Sequence, residues 1–451
     1  MSNDIRIKKG LSIKLKGAAE NIVIKAPISP TVCIKPTDFQ SVTPKMVVKE
    51  GDRVKAGDEI FFSKYLDSIR FVSPVSGTIQ EIKRGDKRKI LEIVVKPDAS
   101  NVFKSSKLKD LDAYSSDELK SVLLKSGCWP FIKQRPYDVI ADPNQSPKSI
   151  FISTFSTAPL AVDYQIALTG QENDFQVGID VLNKLTEGSV HLGVQSDTTS
   201  FFTEVKNVEI HKVSGVHPAG NVGIQIHHID PINAGERVWV INPEDVAILG
   251  RFFQTGKFEA QRTIALSGSG VAKPVYLKTV IGTTIASLLQ AEDIENAPKH
   301  RFINGDVLSG ETVSVNNYIG FYNNSVSVIP EGNHYRMFGW LPFVNNNIHS
   351  MSRTSLSWLF GKREYVANTN LNGEDRALVV TGEMERVLPM DILPMQLLKE
   401  CMAQNIEKME SLGIYEVAPE DFGLVDYVST SKIEAQTIIR ESLDLLLKEV
   451  G

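Results

Sequence analysis

The residues best equipped for chemistry lie in one stretch, from Ser214 to Pro231. It holds three of the chain's eight histidines, His217, His227 and His228, together with Asp230. Neutral imidazole both donates and accepts a hydrogen bond, as a bound carbonyl group or a metal ion would require. A plainer reading stands beside it: a glycine-rich loop whose histidines bond to backbone or hold an interface. His217, His227 and Asp230 together would offer three metal ligands. Their spacing follows no strong metal-site rule, so no metal is expected. Two glycine motifs resemble nucleotide sites and fall short of them. Gly250 and Gly256 are separated by five residues rather than the four of a phosphate loop, and Phe258 stands where Ser or Thr would hold magnesium. Gly268-Ser269-Gly270 follows a strand run but lacks the third glycine and the helix of a dinucleotide fingerprint. No His-Glu-x-x-His occurs, and no residue is assigned a catalytic role.

The elements that must position these residues come from a chain of 451 residues, 42% hydrophobic and 23% charged. That length implies about three or four domains with ample cores. No run approaches the roughly 18 apolar residues of a membrane span. The first fifteen residues carry Arg6, Lys8, Lys9 and Lys14 but no apolar signal core. Cys33, Cys128 and Cys401 fit a reducing compartment, and three thiols cannot build a four-cysteine iron–sulfur cluster. Charge is uneven. Residues 1–110 carry 22 Lys and Arg against 13 Asp and Glu, whereas the remainder carries 27 against 41. A basic head on an acidic body suits oriented docking onto a partner or an anionic surface, and equally a solvated lysine-rich face. Nothing points to nucleic acid.

Four regions are expected, in an α/β and α+β multidomain chain. Residues 1–100 contain two turns, Glu50-Gly51-Asp52 and Ala56-Gly57-Asp58, around a short alternating strand, followed by Ser73-Pro74-Val75-Ser76-Gly77. This pair of units resembles the biotinyl/lipoyl hammerhead. The position of the modified lysine, seven residues before Ser73, holds Leu66, and Lys64 is two residues out of place. No covalent cofactor is therefore expected. The basic run Lys83 to Lys89 reads as an exposed hairpin tip. Residues 101–260 alternate strands near 149–153, 189–194, 208–213 and 237–241 with helices, one over 174–185 with Phe175, Ile179 and Leu182 on its apolar face. Another begins with Asn242 as N-cap, Pro243 next, and Glu244 and Asp245 in the first turn. The order predicts a Rossmann-like layer. Residues 261–380 turn to short strands with a helix over 284–290, resembling a β-grasp domain of the SLBB type. Residues 381–451 read as helical, with Ser431 capping a last helix that carries Ile433, Ile439, Leu443 and Leu446 on or near one face.

Hammerhead, α/β layer and SLBB domain in that order resemble the flavin- and NADH-binding subunit of respiratory complex I, the C subunit of the Rnf complex, and above all the A subunits of the sodium-translocating NADH:quinone reductases. The likeness to the last family runs nearly end to end. It is strongest at His217-Pro218-Ala219-Gly220, Ile226-His227-His228-Ile229-Asp230-Pro231, Leu185-Thr186-Glu187-Gly188-Ser189-Val190-His191, Val307-Leu308-Ser309-Gly310 and the run from Glu385 to Pro394. The flavin-binding relatives carry a multi-glycine loop after the hammerhead, where this chain has Ser126-Gly127-Cys128-Trp129-Pro130-Phe131. The Rnf-type cysteine runs are missing. The resemblance thus implies a peripheral subunit on the cytoplasmic side of the bacterial inner membrane. It implies no redox cofactor here, with flavins and an iron–sulfur centre in the partner subunits and NADH and quinone as substrates of the complex. Its direct role would be structural, or would touch quinone, with Trp129 and Phe131 stacking on the ring and His217, His227 and His228 bonding its carbonyls. The alternative from another class is an independent soluble ligand-binding or carrier module using the hammerhead or the SLBB domain.

Overall fold

The computed structural model describes residues 4–334, 337–339, 341, 348–350, 355–360 and 363–451. Its centre is a seven-stranded sheet. Five parallel strands run in the spatial order Ile5–Ile7, Glu209–Gly215, Val190–Gln195, Ser149–Ser153 and Val238–Val240. The antiparallel pair Lys133–Arg135 and Val139–Ile140 extends it. Strand Ser149–Ser153 is buried along almost its whole length, which explains its continuous apolar run: both faces are covered.

Two early strands within residues 1–100 pair with sheets outside the hammerhead. Ile5–Ile7 pairs with Glu209–Gly215, and Glu20–Lys25 pairs in parallel with Val275–Val280 in the SLBB sheet. Short strands whose partners lie some 200 residues away leave no local trace of which sheet they join. The hammerhead proper starts at Val32–Ile34. Its two sheets contain Val32–Ile34, Ile90–Pro97, Gly77–Arg84 and Arg53–Val54 in one, and Pro44–Met46, Glu59–Ser63 and Arg70–Val72 in the other. The two predicted turns share one device: Asp52 accepts the Lys49 N–H at 3.0 Å and Asp58 accepts the Lys55 N–H at 2.8 Å. Leu66 sits half-buried in the hairpin that joins Glu59–Ser63 to Arg70–Val72.

Helix Glu172–Asn183 buries Phe175, Ile179 and Leu182 as expected, two residues earlier than the predicted span. Helix Pro243–Thr255 packs on it. A Cβ on Gly250 would stand 1.8 Å from the Asp174 carbonyl oxygen, so the first glycine of the phosphate-loop look-alike is a helix–helix contact. Gly250→Val is expected to push the two helices apart and cost about 1–3 kcal/mol, read from urea denaturation. Asn242 occupies the N-cap but its side chain accepts no cap hydrogen bond. Glu244 and Asp245, expected to answer the helix dipole, are instead buried against the first SLBB strand, Gln261–Ser267. Arg262 bonds Asp245, and Glu244 accepts the Thr263 N–H at 2.8 Å.

The SLBB sheet runs Glu311–Val313, His300–Asn304, Ser325–Pro330, Gln261–Ser267, Val275–Val280 and Glu20–Lys25. The helix expected over 284–290 is one turn of 3-10 helix, Ile285–Leu288, followed by Ala291–Glu295. Thr284 and Ser287 both bond the Ser29 hydroxyl, and such side-chain bonds compete with helix continuation. The last helix, Ala435–Glu449, buries Ile439, Leu443 and Leu446. Ser431 does not cap it; its hydroxyl donates to the Ala377 carbonyl at 3.0 Å. The Asp426 carboxylate does so instead, accepting the N–H groups of Ala435 and Gln436.

A chain of rings joins the domains. Phe61 stacks on Phe71 at 4.4 Å, Phe71 meets Phe39, Phe39 meets Phe321 at 4.8 Å, and Phe321 stacks on Phe131. Hammerhead, SLBB sheet and α/β layer are therefore packed through one aromatic seam.

Candidate functional site

The seam ends at a cavity of about 270 Å³. It opens at the carboxyl ends of strands Ser149–Ser153 and Val238–Val240, where the chain crosses from one side of the sheet to the other after Gly215. Open α/β sheets hold their ligands at such a switch point. Ser153, His217 and Asn242 line it from the α/β layer, Phe131, Lys133 and Arg135 from the antiparallel extension, Asp306 and Tyr322 from the SLBB domain, and Glu420 from the C-terminal region. Each domain except the hammerhead contributes.

His217 lies in the turn between strand Glu209–Gly215 and helix Val222–Ile229. It is buried, and burial pushes its pKa down to about 4, against the opposing pull of Asp306 and Asp421. The imidazole is thus neutral at pH 7. Its Nδ1 lies 3.1 Å from the Thr157 hydroxyl, whose oxygen already accepts the Gly220 N–H at 3.0 Å. Among the described residues no other acceptor is placed for the Thr157 proton, so it goes to Nδ1, which leaves the ring proton on Nε2 as a donor.

Beside it, Arg135 is almost wholly buried. Its guanidinium reaches Asp421 at 2.8 Å and Glu420 at 2.6 Å. Burial alone would depress its pKa, but Asp421 and Glu420 outweigh that and hold it charged. Lys133 pairs with Asp138 at 2.7 Å and lies over the Tyr322 ring at 5.1 Å. Tyr322 donates to the Pro130 carbonyl at 2.7 Å.

Of the five residues singled out in the sequence, two meet at this cavity, His217 and Phe131. The other three are placed elsewhere. Trp129 is fully buried, its indole N–H bonded to the Ala141 carbonyl at 2.8 Å and its ring edge-on to Trp239 at 5.4 Å. His227 and His228 stand on helix Val222–Ile229, not in a loop. His227 Nε2 accepts the Asp391 N–H at 3.1 Å, so its Nδ1–H donates to Glu416 at 2.7 Å. His228 bonds the Ile224 carbonyl. One of these histidines thus bonds across to Glu416 and Asp391, and the other bonds to backbone. Asp230 pairs with Lys148 at 2.8 Å, so His217, His227 and Asp230 each have separate hydrogen-bond partners. Sequence reasoning missed Thr157, Lys133, Arg135 and Tyr322. Only the Arg135–Asp421 pairing of opposite charges left a signal, and 286 positions separate the two.

Three family models match the chain: an NqrA N-terminal barrel-sandwich hybrid domain over residues 5–98, an NqrA second alpha/beta domain over 114–258, and an NQRA C-terminal domain over 263–315. Among curated proteins, the A subunit of the Na(+)-translocating NADH-quinone reductase of Marinomonas sp. is 36% identical over 451 residues, covering 98% of this chain and 99% of that one. Its counterpart from Neisseria meningitidis serogroup A is 34% identical over 448 residues, covering 99% and 100%.

The chain belongs to the NqrA family, the A subunits of the Na(+)-translocating NADH-quinone reductases.

The Haemophilus influenzae (strain PittGG) member is 36% identical and covers 99% of this chain and 100% of its own length. A solved NAD+-reducing [NiFe]-hydrogenase chain aligns at 9% identity with a TM-score of 0.37, over 77% of this chain and 67% of that one. The NqrA barrel-sandwich domain is the hammerhead read in the sequence, and the second alpha/beta domain is the Rossmann-like layer that carries His217. Among the described residues no helix is long and apolar enough to cross a membrane.

Proposed function

We propose that the chain acts in the sodium-pumping NADH:quinone reductase as a peripheral subunit on the cytoplasmic face of the bacterial inner membrane, carries no redox cofactor, and receives a quinone head group in the cavity beside His217. The observation that carries the reading is a cavity at the sheet's switch point that presents a neutral imidazole N–H donor, His217, where the aromatic seam ends at Phe131. A quinone carbonyl accepts such a bond, and a single ring fits the space beside it. A cavity of about 270 Å³ falls just below the roughly 300–1,000 Å³ that drug-sized ligands occupy. It suits one ring better than a dinucleotide.

The loop in the flavin position supports a subunit without its own flavin. Cys128, Trp129 and Phe131 are buried, and a Cβ on Gly127 would stand 2.4 Å from the Val72 side chain. That backbone is packed against the hammerhead rather than open to a phosphate. Flavins, the iron–sulfur centre and the NADH site then belong to the partner subunits. Exposed Met337, Leu371, Val379 and Val380, between the SLBB domain and the C-terminal helices, give those partners apolar surface to cover.

The test is a titration of the purified chain with a short-chain ubiquinone analogue, followed by Trp and Tyr fluorescence. Saturable binding is expected, weakened roughly 2- to 10-fold by His217→Leu through loss of one hydrogen bond. No saturation in the wild-type chain would sink the quinone assignment while leaving the family membership untouched.

A further inference from the structure

A second cluster of chemistry-bearing side chains lies in the amino-terminal half of the parallel strands, at the opposite end of the sheet from the cavity. Glu209 and His211 are two residues apart on strand Glu209–Gly215 and so share a face. His191, on the adjacent strand Val190–Gln195, is in register with Glu209. Their ligand atoms converge. His191 Nδ1 lies 3.0 Å from His211 Nε2 and 3.6 Å from Glu209 Oε2, and all three groups can place one atom within 4.8 Å of the others.

A hydrogen bond between the two rings does not account for this arrangement well. One proton can lie between the two facing nitrogens, and Glu209 Oε2, 3.6 Å from His191 Nδ1, stands beyond hydrogen-bond reach of it. A cation shared by all three atoms satisfies them together. Tetrahedral zinc with bonds of about 2.0–2.1 Å sets neighbouring ligand atoms about 3.3 Å apart, and the two observed separations bracket that value.

We propose that His191, His211 and Glu209 form a binding site for one divalent transition-metal ion of the zinc class. Two imidazoles and a carboxylate are borderline donors of the type zinc takes, with a fourth position left for water. The fourth position faces solvent, because Glu209 is exposed whereas both histidines are buried. The supporting groups are also in place. The Ser189 hydroxyl donates to the other Glu209 oxygen and fixes the carboxylate, while the Phe151 ring stacks on His191 at 4.6 Å and fixes the imidazole. Asp230 and Lys148 also act on His191, with opposite signs. Bound there, the ion ties two neighbouring parallel strands at the end of the sheet opposite the cavity beside His217.

The experiment uses the full chain with any affinity tag removed, and Zn2+ and Co2+ as the probes. Calorimetric titration with Zn2+ is expected to give one site per chain. Co2+ is expected to give the visible absorption of a tetrahedral site with nitrogen and oxygen donors. Glu209→Gln, at an exposed position, is expected to keep the wild-type circular dichroism and to weaken Zn2+ binding by about 10- to 100-fold. His211→Gln should abolish the Co2+ bands, and His217→Leu, in the separate cavity, should leave both readouts unchanged. The proposal is overturned if the wild-type chain takes up no Zn2+, or if Glu209→Gln and His211→Gln bind it as the wild type does.

Discussion

Replacing Arg135 by methionine is expected to destabilise the chain by about 3–5 kcal/mol. The guanidinium is almost inaccessible, and its partner Asp421 is wholly so. Removing the cation strands a carboxylate that has no water to turn to. Asp421 also accepts the Ala418 N–H at 3.0 Å and so closes the turn that begins the 3-10 helix Pro419–Phe422. Strand Lys133–Arg135 would thereby lose its hold on the C-terminal region, and the cavity would lose one wall. The measurement is urea denaturation of the variant beside Asp421→Asn and the double variant. The double variant should recover part of the loss, because neither charge is then left alone. Additive losses would show that the pair is not coupled as its geometry demands.

Stability is also expected to fall as pH drops from about 6.5 to about 4, with His217 supplying up to about 3 kcal/mol of that loss. The sign follows from its pKa. In the unfolded chain the imidazole takes a proton near pH 6.5, whereas in the folded chain burial delays protonation to about pH 4. Between these values the unfolded state binds more protons, so acid favours unfolding. The contribution is complete above pH 6.5 and gone below about pH 4. His217→Gln keeps a polar side chain in the site but cannot titrate. Its denaturation midpoint should therefore lose this slope, while sharing whatever slope the carboxylates impose on both proteins. Equal slopes in the two proteins would mean that the fold does not delay protonation of His217, and the burial-held neutral imidazole would fall with it.

Much of the fold was legible because it is local. The two Gly-Asp turns of the hammerhead, the buried run at Ser149–Ser153, the Pro243 helix start and the apolar stripe at Phe175, Ile179 and Leu182 are each written within a few residues. Hydrophobic period and turn chemistry report them directly. Other features misled for the same reason. Ser431 has the composition of a cap, but Asp426 reaches the helix start through a fold-back that composition does not encode. The segment from Ser214 onward looked like a loop because its glycines and histidines cluster. From Val222 onward it is helix, since Ile224 and Ile226 are drawn into the core.

Resemblance to known proteins was enough to point to the family, the order of its domains and the leucine at position 66 where carriers hold a lysine, and residue type alone marked the histidine-rich stretch that contains His217. Neither could reveal which aromatic and which histidine face a cavity. Trp129 and Phe131 are two residues apart, yet one closes a core against Trp239 and the other ends the aromatic seam beside His217. The Arg135–Asp421 pair and the meeting of His191, Glu209 and His211 were equally hidden until the chain was folded. All three share a cause. Each arises from strand register and domain docking between segments distant in the chain, where many weak local preferences are overridden by the burial of a shared surface.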